Sequence, residues 1–172
     1  MNQQTIHEKY PARIIAITNL LSVLIYIAGA YIIYQLGLIW ALIYIGYLLF
    51  LEIRLLSTGC PDCYYYGKLC AFGKGRLSSL FFKKGDPERF TCRTFTWKDL
   101  IPDFLVALIP VIIGLVILIL DFSWLILLLM ILLFFLSTTG NGIIRGQYAC
   151  KFCKQAEIGC PALELFSRKK QP

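Results

Sequence analysis

The chain has 172 residues, of which 58% are hydrophobic and only 16% charged, and its formal charge is +7. A mean hydropathy of +0.70 and a charged fraction well below the about 25% usual in globular proteins exclude an ordinary soluble domain.

Four apolar stretches are each long enough to cross a bilayer, which takes roughly 20 residues of helix. Spans are expected over 14–33, 36–56, 101–120 and 123–144. Each should be helical, because lipid offers backbone groups no partner. Ala28-Gly29-Ala30 in the first span has the small-x-small form of a signal-peptidase site. The apolar run scarcely pauses after it, so cleavage is not expected. The turns Tyr34-Gln35 and Asp121-Phe122 are tight, which predicts two antiparallel helical hairpins. Tyr26, Tyr31, Tyr34 and Trp40 gather towards the first turn, and Trp97 and Trp124 flank the second pair, where amphipathic rings prefer to lie. Pro110, mid-way along the third span, removes a helix hydrogen bond and is expected to kink it.

Polar residues within the spans are few: Thr18, Asn19 and Ser22 in the first, and Ser137, Thr138, Thr139 and Asn141 in the fourth. Interhelical hydrogen bonding beside Gly140 and Gly142 is the expected use, with a polar cavity as the alternative. The span interiors lack acids, bases and cysteines, and Glu52, Arg54 and Asp103 sit near their ends. Intramembrane ionisable groups mark proton and ion pathways, so proton-coupled transport by this chain alone is not expected. His7, the single histidine, excludes a bis-histidine haem within one chain.

None of the 17 Lys and Arg lies in the two tight turns. Positive residues stay in the cytoplasm, so both termini and the loop 57–99 are expected on the cytoplasmic face of the cell membrane. Gly73-Lys74-Gly75-Arg76 resembles a phosphate-binding turn only loosely and lacks the full P-loop pattern. The stretch 77–84 reads as an interfacial helix. Lys74, Arg76, Lys83 and Lys84, with Arg168, Lys169 and Lys170, are expected to meet anionic lipid headgroups, at about 1 kcal/mol each.

All seven cysteines fall on this cytoplasmic side, where thiols stay reduced and structural disulfides are disfavoured. Cys60-x2-Cys63-x6-Cys70 matches Cys150-x2-Cys153-x6-Cys160 at an offset of 90 residues. Each triplet follows a hairpin, each is preceded by an arginine (Arg54, Arg145), and each is followed by an aromatic-basic segment. The chain therefore reads as a tandem duplication, with repeats over 10–92 and 100–172. Two-span units insert in the same orientation, so the repeats should be parallel and related by an axis along the membrane normal. The expected fold is an all-α integral membrane protein of two tandem hairpins under a small cytoplasmic cysteine-rich cap.

A Cys-x2-Cys pair can present two sulfurs to one metal, and zinc takes four ligands in a tetrahedron. One triplet is a ligand short, whereas six sulfurs suffice for two zincs if two of them bridge. The doubled spacing is similar to that of the fungal zinc binuclear-cluster domain, although nothing in this sequence points to nucleic acid. An iron–sulfur cluster, commonly held by four Cys, is the rival; Cys60-Pro61 and Cys160-Pro161 resemble the Cys-Pro ending of bacterial ferredoxin motifs, whose spacing is absent. Cys92 is a possible fourth ligand for the first triplet, or a reactive thiol beside Arg93.

Three function classes follow. The first is a scaffold or interaction subunit with a zinc-held cap and a protein partner in the membrane. The others are an iron–sulfur redox protein and a metal carrier with the triplets as a loading site. An enzyme with a Cys92 nucleophile lacks a visible general base, so the reading leans away from catalysis.

Overall fold

The computed structural model describes residues 6–92 and 96–161. It is mostly helical, with no strand among the described residues, and four helices are long and apolar enough to cross a membrane. Helices α1 (Ala12–Tyr34) and α2 (Leu38–Thr58) form the first hairpin. Gly37, at φ 121°, supplies the left-handed turn residue between them. Two short helices follow, α3 (Lys74–Phe81) and α4 (Pro87–Thr91). The Asp86 carboxylate caps α4 by accepting the Glu88 amide at 3.0 Å.

The third spanning helix, α5 (Trp97–Leu120), starts at a capping box. The Asp99 carboxylate accepts both the Thr96 amide, at 2.9 Å, and its hydroxyl, at 2.8 Å. The fourth begins as α6 (Trp124–Phe135) and continues to Phe152, 29 residues in all. It widens to π geometry at Leu136–Gly140 and again at Ile144–Ala149, with α7 (Asn141–Ile143) between. A short helix, α8 (Lys154–Ile158), ends the described chain. At 1.5 Å per residue the fourth helix is about 43 Å long, against a hydrocarbon core of about 30 Å. It exceeds that thickness, and its last turns carry Arg145 and Cys150. The sequence places the exit at Ile144; the helix runs on because 145–152 contains no proline and the widened turns accommodate its glycines.

Helix α1 is the centre of the bundle. It lies against α2, α5 and the fourth helix, and its buried Leu21, Ile25, Ala28 and Ile32 recur at the spacing of a coiled-coil seam. Tyr44 and Leu48 of α2, Val106 of α5 and Leu133 of α6 close on that stripe. Helix packing in lipid relies on close approach of small residues, and Gly29 shows why. A Cβ there would lie 2.5 Å from the Tyr44 hydroxyl and 3.1 Å from Pro110 Cγ.

Pro110 has no amide proton, so the Val106 carbonyl four residues earlier has no helical donor. The Tyr44 hydroxyl fills the vacancy at 2.7 Å, and the Tyr47 hydroxyl donates to the Pro102 carbonyl at 2.7 Å. Helix α5 runs unbroken through both prolines. Tyr26, expected near the first turn, sends its hydroxyl the other way, to the Glu52 carboxylate at 2.7 Å. Ser137 and Thr138 do not bridge helices; both hydroxyls donate to the Phe134 carbonyl of their own helix.

Tyr44→Phe should destabilise the bundle by about 1 kcal/mol, the scale of a membrane hydrogen bond. In a Pro110→Ala background, where an amide again serves the Val106 carbonyl, the same change should cost close to nothing. Unfolding in mixed detergent–SDS micelles measures both arms of the cycle, and equal costs in the two backgrounds would disprove the pairing.

Candidate functional site

The two cysteine segments lie at the same end of the bundle, each at the foot of one hairpin. Their local turns correspond. The Cys63 amide donates to the Cys60 carbonyl at 3.3 Å, and the Cys153 amide to the Cys150 carbonyl at 3.2 Å. One turn further on, the amides of Tyr66 and Ala156 each donate to the carbonyl of the second cysteine, at 3.0 Å in both segments. Pro61 starts the first turn, the position its fixed φ favours.

The segments also bond to each other reciprocally. The Tyr64 amide donates to Gln155 Oε1 at 2.7 Å, and the Lys154 amide donates to the Tyr65 hydroxyl oxygen at 3.0 Å. Residues 64 and 65 thus exchange with 154 and 155 the same backbone-to-side-chain bond in both directions. Tyr65 and Gln155 are almost completely buried. The sequence reading singles out neither residue, and its one available signal was their common offset from the flanking cysteines.

A third strand of chain threads between the two segments. The His7 amide donates to the Phe152 carbonyl at 3.1 Å, making an isolated parallel bridge with Cys153. The His7 carbonyl accepts the Tyr65 hydroxyl. The Tyr10 amide reaches the Leu69 carbonyl at 3.0 Å, and its hydroxyl reaches the Ala149 carbonyl. Tyr10, Tyr65, Ala71 and Ala149 form a small buried cluster, against which Cys63, Cys70 and Cys153 pack. From α1, Thr18 donates to the Ala71 carbonyl at 2.6 Å and Asn19 to the Phe72 carbonyl at 3.3 Å. These two span residues therefore hold the chain that follows Cys70.

All seven cysteines are free thiols. Cys60, Cys63 and Cys70 stand in one another's electrostatic field, as do Cys150, Cys153 and Cys160, and Cys63 also faces Cys153. Burial, reinforced by the neighbouring sulfurs, pushes the Cys63 thiol up to about 12 and the Cys60 thiol up to about 11. Burial likewise raises Cys153. Uncomplexed, these groups are neutral thiols at physiological pH. Among the described residues, no three His, Cys, Asp or Glu side chains converge as a metal-binding group.

Cys92 is exposed at the end of α4. Cys92 follows Thr91, whose side chain would lie 3.3 Å from a Cβ at Gly159. Its neighbour Arg93 lies outside the described residues, as do Arg168, Lys169 and Lys170. Lys74 turns inward and pairs with Glu52 at 2.6 Å, while Arg76, Lys83 and Lys84 are exposed. Leu80 and Phe81 of α3 are more than 70% exposed beside them, the mixture of an interfacial helix. A cavity of about 230 Å³ opens between the segments, lined by Cys63, Tyr64, Tyr66, Lys68, Lys84 and Gln155 among others. No protein family, curated protein or solved structure matches the chain.

Gln155→Leu leaves the Tyr64 amide without its acceptor. An unpaired buried donor costs about 1–3 kcal/mol, so exchange of that amide should accelerate by roughly 5- to 100-fold in hydrogen–deuterium exchange. Alkylation in chelator gives a second check, because only the thiolate reacts. With the Cys63 pKa raised above that of an ordinary thiol, its labelling should keep rising about tenfold per pH unit from pH 8 to about 11. Site-resolved mass spectrometry reads this, and a plateau below pH 9 would contradict its burial.

Proposed function

We propose that this chain is a scaffold or interaction subunit of the cell membrane. In this reading two copies of one hairpin-plus-cysteine unit meet under a pseudo-twofold axis, and their six thiols form a zinc-binding cap. The reciprocal bonds of Tyr64 with Gln155 and of Lys154 with Tyr65 carry the reading. An exchange in which each side gives what it receives is what a twofold interface requires. The matching turns at 60–66 and 150–156 support it further.

The absence of basic residues from the two hairpin turns supports a cytoplasmic location for the cap, in a compartment where thiols remain available as ligands. The thiols of each triplet influence one another electrostatically, but no three converge. Zinc would have to draw them together and displace their protons, so binding is coupled to closure of the cap. Two thiolates bridging two zincs would satisfy both metals with six ligands. The Lys74–Glu52 pair and the Tyr26 bond to the same carboxylate give Glu52 two partners, which favours a structural over a proton-carrying role for that carboxylate.

Metal analysis with a UV–visible spectrum on anaerobically purified protein tests this. The expected result is two zincs per chain, no absorbance near 400 nm, and a fall in thermal stability on chelation. A brown protein would instead favour an iron–sulfur redox role. A metal-free protein that is indifferent to chelators would defeat the proposal.

A further inference from the structure

Zinc seeks four ligands, and each cysteine triplet offers three. The binuclear solution shares thiolates between metals, but the second triplet has another donor beside it. His7 is the only histidine of the chain, and its position is fixed by backbone bonds to both segments. Its amide is bound to the Phe152 carbonyl at 3.1 Å, and its carbonyl accepts the Tyr65 hydroxyl. The parallel bridge makes Cys153 its direct partner. Bridged residues sit about 4.8 Å apart along the hydrogen-bonding direction. The imidazole is braced by two rings, Tyr10 with centroids 5.3 Å away and Phe152 with centroids 5.5 Å away. Cys153 is in turn an electrostatic neighbour of both Cys150 and Cys160.

We infer that His7 is the fourth ligand of a metal held by Cys150, Cys153 and Cys160, which makes the second triplet a self-contained Cys3His zinc site. This rests on the metal-binding reading above and changes its coordination: the second zinc needs no thiolate from the first triplet. A Cys3His set is among the established structural zinc shells, with nitrogen at about 2.0–2.1 Å and sulfur at about 2.3 Å. The backbone already places His7 next to Cys153; metal binding would require the imidazole to turn from Tyr10 and Phe152 and the Cys150 and Cys160 side chains to close on it. The leading segment 6–10 thereby becomes part of the metal site, and metal loading locks it between the two cysteine segments.

The test is zinc X-ray absorption on the full-length protein, purified with a tag that contains no histidine, so that any imidazole scattering comes from His7. The expected wild-type spectrum fits sulfur plus one imidazole shared over the zincs present. His7→Gln should abolish the imidazole signal and lower the zinc bound per chain. His7→Cys should restore that content with an all-sulfur shell, which separates lost ligation from lost folding. A zinc-loaded wild-type protein without imidazole scattering overturns the inference while leaving the metal reading intact. A wild-type protein that binds no zinc overturns both.

Discussion

Main-chain carbonyls are taken up by tyrosine hydroxyls throughout this molecule, among them the Val106 carbonyl that Pro110 leaves without a helical donor. Tyr44 and Tyr47 serve carbonyls of α5, Tyr10 and Tyr65 serve Ala149 and His7 between the cysteine segments, and Tyr66 serves Phe82 at the end of α3. Each bond joins two segments distant in sequence. An orphan carbonyl is expensive where water is scarce, and a tyrosine ring spans the gap between elements with only two torsions to fix. The bundle and the cysteine segments are thus assembled by the same device. In the bundle it tolerates proline within a membrane helix. Between the segments it substitutes for the sheet that such short strands cannot form.

Helix α1 ties the two regions together. Its seam of Leu21, Ile25, Ala28 and Ile32 organises the bundle, while Thr18 and Asn19, on the same helix, grip the carbonyls of Ala71 and Phe72. Tyr26 and Lys74 converge on Glu52 from opposite sides, which joins α1, α2 and α3 through one carboxylate. Arg145 stacks over Phe72 from the far end of the fourth helix. A displacement of the first cysteine segment therefore has no slack to absorb it before it reaches α1.

The spans were legible because hydropathy is a property of contiguous residues; α1 and α5 begin a little earlier than hydropathy alone indicates, and α2 is shifted by two residues at each end. The fourth helix was misjudged at its far end. The span is expected to end at Ile144, ahead of Arg145, whereas π-widened turns carry the helix through Cys150. The triplets were legible for the same local reason, since their spacing is fixed along the chain. What joins the segments is long-range and was hidden: Tyr64 to Gln155, Lys154 to Tyr65, and His7 against Cys153. Thr18 and Asn19 looked like candidates for helix–helix contact because a sequence shows that a polar group needs a partner without showing which. Lys74 was read as a headgroup contact, since its sequence gives no sign of the carboxylate 22 residues earlier that holds it.

The segment around His7 and Tyr10 also constrains the order of assembly. It is made well before its partners at Ala149 and Phe152. At about 5–20 residues per second, roughly 7 to 30 seconds pass between the two. Throughout that interval the first cysteine segment exists without the strand and the second segment that bury it. The protein cannot finish one half and then the other. The step that joins these segments docks earlier-made residues onto later-made ones, and a chain arrested before the fourth span leaves buried-type thiols and tyrosines open to whatever surveys unfinished membrane proteins.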